Sequence, residues 1–513
     1  MAGIPRALAL FALFAAASTL TRAVVLDVPV VDSDEASYLV GAREMLRGRL
    51  LYAEVADHKP PLVFAYYALA QRLGSGMLSV RLLTSLLVLP LTALALSAVF
   101  AHDRRGVLAG LAFLFSSASF LAHDMLAVNC EVLMLLPLSW ALLVLERGAY
   151  RVPASFAAGL LIGLATLFKY QAAFWLPAPV LAVALVGSGP EGGASRPRRR
   201  RQAVATGTAV LAGFALPLVG SYGLFAVWGA GQDFLYWNLI HNIRYAEATV
   251  APRQALQRAL AYGLPALAAM APLWWAWRRG RRLLPARLRA LVWALLVLSL
   301  SSACLGFRFY PHYFIPVYAP LALGAAPALA VLLRAPLGIA GRVLLACSGL
   351  LLVGFTLANA LLYHGRRGVY SETRPVFREV AAVMRADPCW PAQPIFVWGQ
   401  APAFYLFADR PPASRFLYVQ STLVGYVAGR AAGDADPRLV LSQHWAWLLA
   451  DLQRSRPAYV LDTSAAAIGS WQFPLQDFPR LARFVAEGYE RVATVGGVVL
   501  YRRRGCPAAA PER

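Results

Sequence analysis

Lysine is almost absent from this chain: Lys59 and Lys169 stand alone against 46 arginines. Charge of either sign is scarce as well, at 14% of residues, while 59% are hydrophobic and the mean hydropathy is +0.56. Soluble domains carry about a quarter charged residues, so this composition excludes an ordinary water-soluble protein and implies a polytopic membrane protein. Acidic residues number 26 against 48 basic ones, a formal net charge of +22. That excess does not point to nucleic acid, because the arginines cluster in short loops between apolar segments, which is the positive-inside bias of membrane insertion. The five cysteines show no zinc-like spacing. Cys130, Cys304 and Cys347 read as apolar filler, and Cys389 and Cys506 could form a disulfide in an oxidising compartment. No internal repeat of fixed period is present. The first apolar stretch, from Leu8 to Val25, lacks a small-residue cleavage site followed by a soluble domain, and reads as a retained span.

A span needs roughly 20 mostly apolar residues, and about eleven candidates can be read. They lie near 7–26, 79–101, 106–122, 131–146, 154–170, 172–187, 203–228, 258–277, 289–307, 313–333 and 342–362. With the N-terminus in the cytoplasm, the loops 102–105, 147–151, 196–201, 278–289 and 334–342 fall inside and hold most of the arginines. The run Arg198–Arg201 is then a topology signal rather than a binding site. The opposite loops hold Asp32, Asp34, Glu35, Asp57, His58, Lys59, Asp124, Asn129, Glu131, His241, Asn242, Arg308 and His312, with Lys169 near the outer end of the fifth span. Polar groups at membrane depth are costly and point to function. The chemistry collects on the outer face.

Past residue 363 the composition becomes that of a soluble domain. Helices are expected near 374–385, 401–407, 438–454 and 478–487, with strands near 395–398, 458–462, 489–495 and 498–501. This alternation predicts a small outer α/β domain of about 150 residues. The fold class is therefore a polytopic α-helical membrane protein, residues 1–362, followed by an α/β domain, residues 363–513.

In the first outer loop, about 27–78, Asp32-Ser33-Asp34-Glu35 opens an amphipathic helix that runs to about Arg47 and stops at Gly48. Asp32 or Ser33 suits the cap, and Glu35 could close a capping box and favour the helix dipole. Capping accounts for acidic residues here but not for their pairing with a rare lysine in Asp57-His58-Lys59-Pro60-Pro61. The prolines stiffen the backbone after Lys59 and start a second helix near 62–73. A lysine so held can meet a phosphate as a point charge.

The ordered set Asp34-Glu35-x-x-Tyr38, Ala42-Arg43-Glu44-Met45-Leu46 and Lys59-Pro60-Pro61-Leu62 resembles the first outer loop of GT-C glycosyltransferases. Among them it is similar to the lipid A aminoarabinose transferases and the bacterial protein O-mannosyltransferases. The resemblance covers residues 1–362, most closely up to 180. It implies an inverting glycosyltransferase that moves a sugar from a polyprenyl-phosphate donor to a hydroxyl of a lipid, glycan or protein. The place implied is the outer, periplasmic face of a bacterial inner membrane.

On this resemblance Asp34 matches the general base or acceptor-positioning acid, with Glu35 beside it, and Lys59 matches the lysine that contacts the donor phosphate. The second acidic position falls on Glu131 in Asn129-Cys130-Glu131-Val132-Leu133, with Asp124 as its rival. Glu131 could equally be a dipole-favoured residue that begins a span. Lys169 either snorkels to the interface or supplies a second phosphate contact. Arg308-Phe309-Tyr310-Pro311-His312-Tyr313-Phe314 reads as an aromatic belt, and it is similar to a segment of many bacterial members, which implies phosphate contacts for Arg308 and His312. Tyr38, His58, Asp124, His241 and Asn242 are expected to line the substrate cavity. A carboxylate near a phosphate could hold a divalent metal, but two lysines available for the same charge favour a metal-independent reaction without a cofactor. The competing classes are a lipid-linked sugar transporter or flippase, whose charges would run deep through several spans, and a non-catalytic binding relative.

Overall fold

The computed structural model describes residues 3–118, 122–187, 195–248, 250–334, 338–339, 341–343, 374–387, 393–427, 430, 433–466, 468 and 471–505. The eleventh expected span, Cys347 and the suggested Cys389–Cys506 bridge lie wholly or mainly outside the described residues. The protein is a multi-pass α-helical bundle capped by a small sheet domain. Among the described residues six helices are long and apolar enough to cross a bilayer: Ile4–Val25, Gly76–Val99, Arg196–Val227, Pro252–Leu283, Ala286–Ala303 and Pro311–Leu332. Val152–Thr166 and Tyr170–Val186 are shorter apolar helices. Arg104–Ser116 and Cys130–Arg147 pack among them. The ten expected spans that fall on described residues each meet a helix.

The helices are not uniform, and the sequence says why. Pro90 has no amide hydrogen to give and crowds the turn before it, and a π-helical turn over Thr84–Val88 precedes it. Pro311–Leu332 is the most deeply buried of the six. It is lined by small residues such as Ala319, Ala322, Gly324 and Ala325, which let neighbouring backbones approach closely. At Gly324 an added Cβ would lie 2.4 Å from the ring of Trp277.

The loop expected to face outward folds into two helices, Ser33–Leu46 and Pro61–Leu73. Asp32 caps the first, its carboxylate accepting the Asp34 N–H at 2.9 Å. The helix ends in a Schellman motif: Gly48 N–H bonds Met45 O at 3.0 Å, and Arg49 N–H bonds Glu44 O at 3.0 Å. Gly48 sits at φ 88°, where a side chain would be strained. The expected capping box does not form. Glu35 accepts instead from Val31 N–H and Val128 N–H, at 3.0 and 2.8 Å.

Among the described residues the C-terminal domain carries one sheet of four strands, β1 (Ile395–Trp398), β2 (Tyr459–Asp462), β3 (Tyr489–Val495) and β4 (Val498–Arg503). Their order is β1-β2-β4-β3. β1 and β2 run parallel and are buried along their length, while β4 is antiparallel to both its neighbours. Gly496 and Gly497, both at positive φ, make the two-residue turn from β3 to β4, as a tight hairpin requires. Helices Pro375–Ala386, Ala403–Ala408, Ser442–Ser455 and Pro479–Gly488 accompany the sheet.

This first loop and the sheet domain share one apolar core. Tyr38, Leu39, Val63 and Phe64 of the loop, Trp237 of a membrane-side segment, and Phe396, Phe404 and Phe416 of the domain belong to the same buried cluster. Backbone joins them too, Ala56 N–H bonding Arg415 O at 2.8 Å. Burial of this kind stabilises by roughly 25 cal/mol per Å² of apolar surface, so the domain is fixed over the loop rather than tethered to it.

Candidate active site

Between the membrane helices and the sheet domain lies a cavity of about 810 Å³. Helix Ser33–Leu46 delivers Asp34 to it, and the turn before Pro60 delivers Lys59. Lys59 Nζ stands 2.9 Å from Asp34 Oδ2. The hydroxyl of Tyr38, one helical turn on, lies 3.2 Å from both. Asp57 fixes the lysine's backbone, accepting its N–H at 2.9 Å. Oδ1 of Asp34 faces the sheet domain, where the Tyr418 hydroxyl lies 3.1 Å from it and 3.0 Å from Ser33 O.

The charges explain the titration of these groups. Burial would push the Asp34 carboxyl up, but Lys59 and then Lys169 outweigh it and hold it well below the usual carboxylate range. Burial likewise opposes the charge of Lys59, yet Asp34 and Asp57 keep its ammonium well above the ordinary lysine value. Asp32 behaves in the opposite way. Burial, then the charges of Asp34 and Asp124, push its carboxyl up to about 7.

A second layer of cations stands opposite. Lys169 Nζ lies 3.0 Å from Glu131. Arg308 rests 3.9 Å over the Tyr245 ring and donates to the carbonyls of Tyr245 and Ala248. His312 bonds Asp124 through Nδ1 and has Nε2 3.8 Å from Glu131. Lys59, Lys169, Arg308, His312, Asp34, Asp124, His58 and Asn242 all line the cavity.

Four expected residues stand elsewhere. Glu35 is fully buried away from the cavity and paired with Arg81 at 2.8 Å. It holds the loop against the Gly76–Val99 helix, because Arg81 also takes the carbonyls of Val25 and Val28. This corrects the expectation that it shares the catalytic position. Glu131, expected as the second catalytic acid, sits behind the wall as counter-ion to Lys169, and its rival Asp124 is the carboxylate that reaches the cavity. His241 packs between Trp237, His58 and His444 instead of lining the space. Tyr38 supports the Asp34–Lys59 pair from behind. The sequence reading missed Tyr418, and also Arg258, which lines the cavity and lies 4.7 Å over the Tyr310 ring. No local motif marks either residue.

Asp32, Asp124 and His312 bring one ligand atom each within 4.8 Å of one another. Two carboxylates and an imidazole suit a divalent cation. In the structure the Asp124 carboxylate is already engaged by His312.

The fold is of the GT-C type, as the resemblance read from the first loop implies. Residues 58–218 match the family model described as dolichyl-phosphate-mannose-protein mannosyltransferase. Among solved structures the chain is similar to ArnT from Cupriavidus metallidurans. The apo form aligns at 16% identity over 96% of this chain and 97% of that one, with a TM-score of 0.55. The form bound to undecaprenyl phosphate aligns at 18% identity over 98% and 99%, with a TM-score of 0.57. At these identities the likeness is one of fold. No curated protein matches the chain.

Proposed function

We propose that this chain is an inverting glycosyltransferase that moves a sugar from a polyprenyl-phosphate donor to an acceptor hydroxyl at the outer face of a bacterial inner membrane. The observation that carries the reading is the Asp34–Lys59 pair, 2.9 Å apart in a large cavity that Lys169, Arg258 and Arg308 also line. The shared fold with a protein crystallised with undecaprenyl phosphate supports it.

In this reading the donor phosphate enters the cationic wall and competes with Asp34 for Lys59. Sharing the ammonium makes Asp34 a better proton acceptor at the moment it is needed. The acceptor oxygen attacks the anomeric carbon from the side opposite the phosphate, and the oxygen–carbon bond forms as the bond from carbon to phosphate oxygen breaks. The electron pair leaves with the phosphate, stabilised by Lys59 and Lys169, and the acceptor proton passes to Asp34. The leaving group is already an anion, so it needs positive charge more than it needs a proton donor. Asp124 and His312 fill out the wall, and neither a metal nor a cofactor is required.

The test incubates purified protein with labelled polyprenyl-phosphate sugars and acceptors, comparing wild type with Asp34→Asn at equal folded yield. Transfer should fall by about 10³-fold or more, the scale of losing a base and a positioning group together. Equal turnover would remove Asp34 from the mechanism.

A further inference from the structure

Resting on the transferase reading above, we propose that the acceptor is a neutral, hydroxyl-rich glycan, bound against the wall of the cavity that the sheet domain supplies. The cavity has two unlike walls. The membrane side presents the cations already described. The sheet domain contributes Gln400, Tyr418, Gln420, Ser421 and Thr422, and none of these is charged. Amides and hydroxyls of this kind both donate and accept, which matches the hydroxyls of a sugar. A phosphate or carboxylate on the acceptor would call for arginine or lysine, and among the described residues this wall offers neither.

The two oxygens of Asp34 divide along the same line. Oδ2 is held by Lys59 and Tyr38 on the donor side, whereas Oδ1 meets the Tyr418 hydroxyl on the domain side. Tyr418 has one proton and two acceptors within reach, Asp34 Oδ1 and Ser33 O. It can therefore turn to Ser33 and leave Oδ1 to an incoming hydroxyl. The wall also holds unmet hydrogen-bonding capacity. The side-chain oxygens of Gln400 and Gln420, together with the indole N–H of Trp237 on the membrane side of the same cavity, are buried without a partner among the described residues. Buried polar atoms left unpaired are rare and costly, and a hydroxyl-rich ligand seated here would relieve them.

The experiment offers the protein, in lipid nanodiscs with a labelled polyprenyl-phosphate sugar, three acceptors: neutral hexose oligosaccharides, a phosphorylated glycolipid and a serine/threonine peptide. Transfer to the neutral oligosaccharides is expected. Gln400→Leu and Gln420→Leu should each raise the acceptor KM by about tenfold, the size of one lost hydrogen bond, with the donor KM unmoved. Gln420→Asn should recover part of the loss. Transfer only to the phosphorylated glycolipid or the peptide, or glutamine variants that shift the donor KM instead, would overturn the inference. Displacement of labelled polyprenyl phosphate is measured alongside. Absence of binding would bring down the transferase reading and this inference with it, while binding and slow donor hydrolysis without transfer to neutral glycans would bring down this inference alone.

Discussion

Lys59 Nζ lies 2.9 Å from Oδ2 of Asp34, although 25 positions separate the two in the chain. Anion and cation reach the cavity already paired, so each is oriented before any substrate arrives. A preformed pair of this kind is oriented before the donor shares it, and electrostatic catalysis draws most of its advantage from such preorganisation.

Replacing Lys59 should therefore damage transfer twice over. Lys59→Gln removes the partner that orients Asp34 and, in the proposed reaction, the charge that would face the leaving phosphate, and kcat/KM should fall by about 10²- to 10³-fold. Lys59→Arg should not restore wild-type activity, because a planar guanidinium cannot replace a compact ammonium between Asp34 and Tyr38. Steady-state kinetics on both variants check this, and an active Lys59→Gln would contradict it.

Glu35 should matter to folding rather than to chemistry. Its partner Arg81 is 2% exposed, so Glu35→Gln leaves a buried cation without its counter-charge, at a cost of about 3–5 kcal/mol. Thermal unfolding in detergent should show a lower Tm, while the fraction that folds keeps a near-normal kcat. A stable variant that is dead in transfer would return Glu35 to the catalytic group.

Acid should loosen the seat of the sheet domain. His241 lies between His58 of the outer loop and His444 of the domain, and His444 stacks on Trp237 at 15° and bonds Tyr236 at 2.8 Å. Burial, then His444 and Arg244, lower His241 from 6.5 to about 3. Burial also lowers His58 and His444. For a base whose folded value is depressed, the stability from its neutral form is fully present above 6.5 and is lost as pH falls below it towards 3. The share of Tm that His241 supplies is read as the difference between wild type and His241→Phe, because Asp32, pushed up to about 7, titrates with the opposite sign. That difference should hold from pH 8 to 7 and shrink progressively from about 6.5 downwards. A Tm difference between the two proteins that stays constant from pH 8 to 4 would refute the assignment.

Chelation should leave the rate unchanged. In the proposed reaction lysines would face the leaving phosphate, and Asp124 is engaged by His312. Prolonged treatment with EDTA, followed by assay with and without magnesium, manganese or zinc, measures this. Loss of activity restored by a divalent ion would instead make Asp32, Asp124 and His312 its holders.

Much of the architecture was legible in the chain itself, because hydropathy and periodicity are local properties. The strand expected at 395–398 is β1, and the last strand pair and the Gly48 helix stop fall where their residues demand. Asp34 and Lys59 could be singled out for a related reason. One turns with a short capped helix and the other precedes two prolines, so local stiffness aims both.

What the sequence determined by itself, then, was which segments form long apolar helices, which form the sheet, and which loop carries a rare lysine beside carboxylates. The tertiary structure alone decided the assignment of neighbours. It sent Glu35 to Arg81 and Asp34 to Lys59, although the two acids are adjacent, because successive helix positions point about 100° apart. It put Asp124 rather than Glu131 at the cavity, and it brought Tyr418 to Asp34 from 384 positions away. Those choices depend on how distant elements pack, and packing is a property of the whole folded chain that no local pattern encodes.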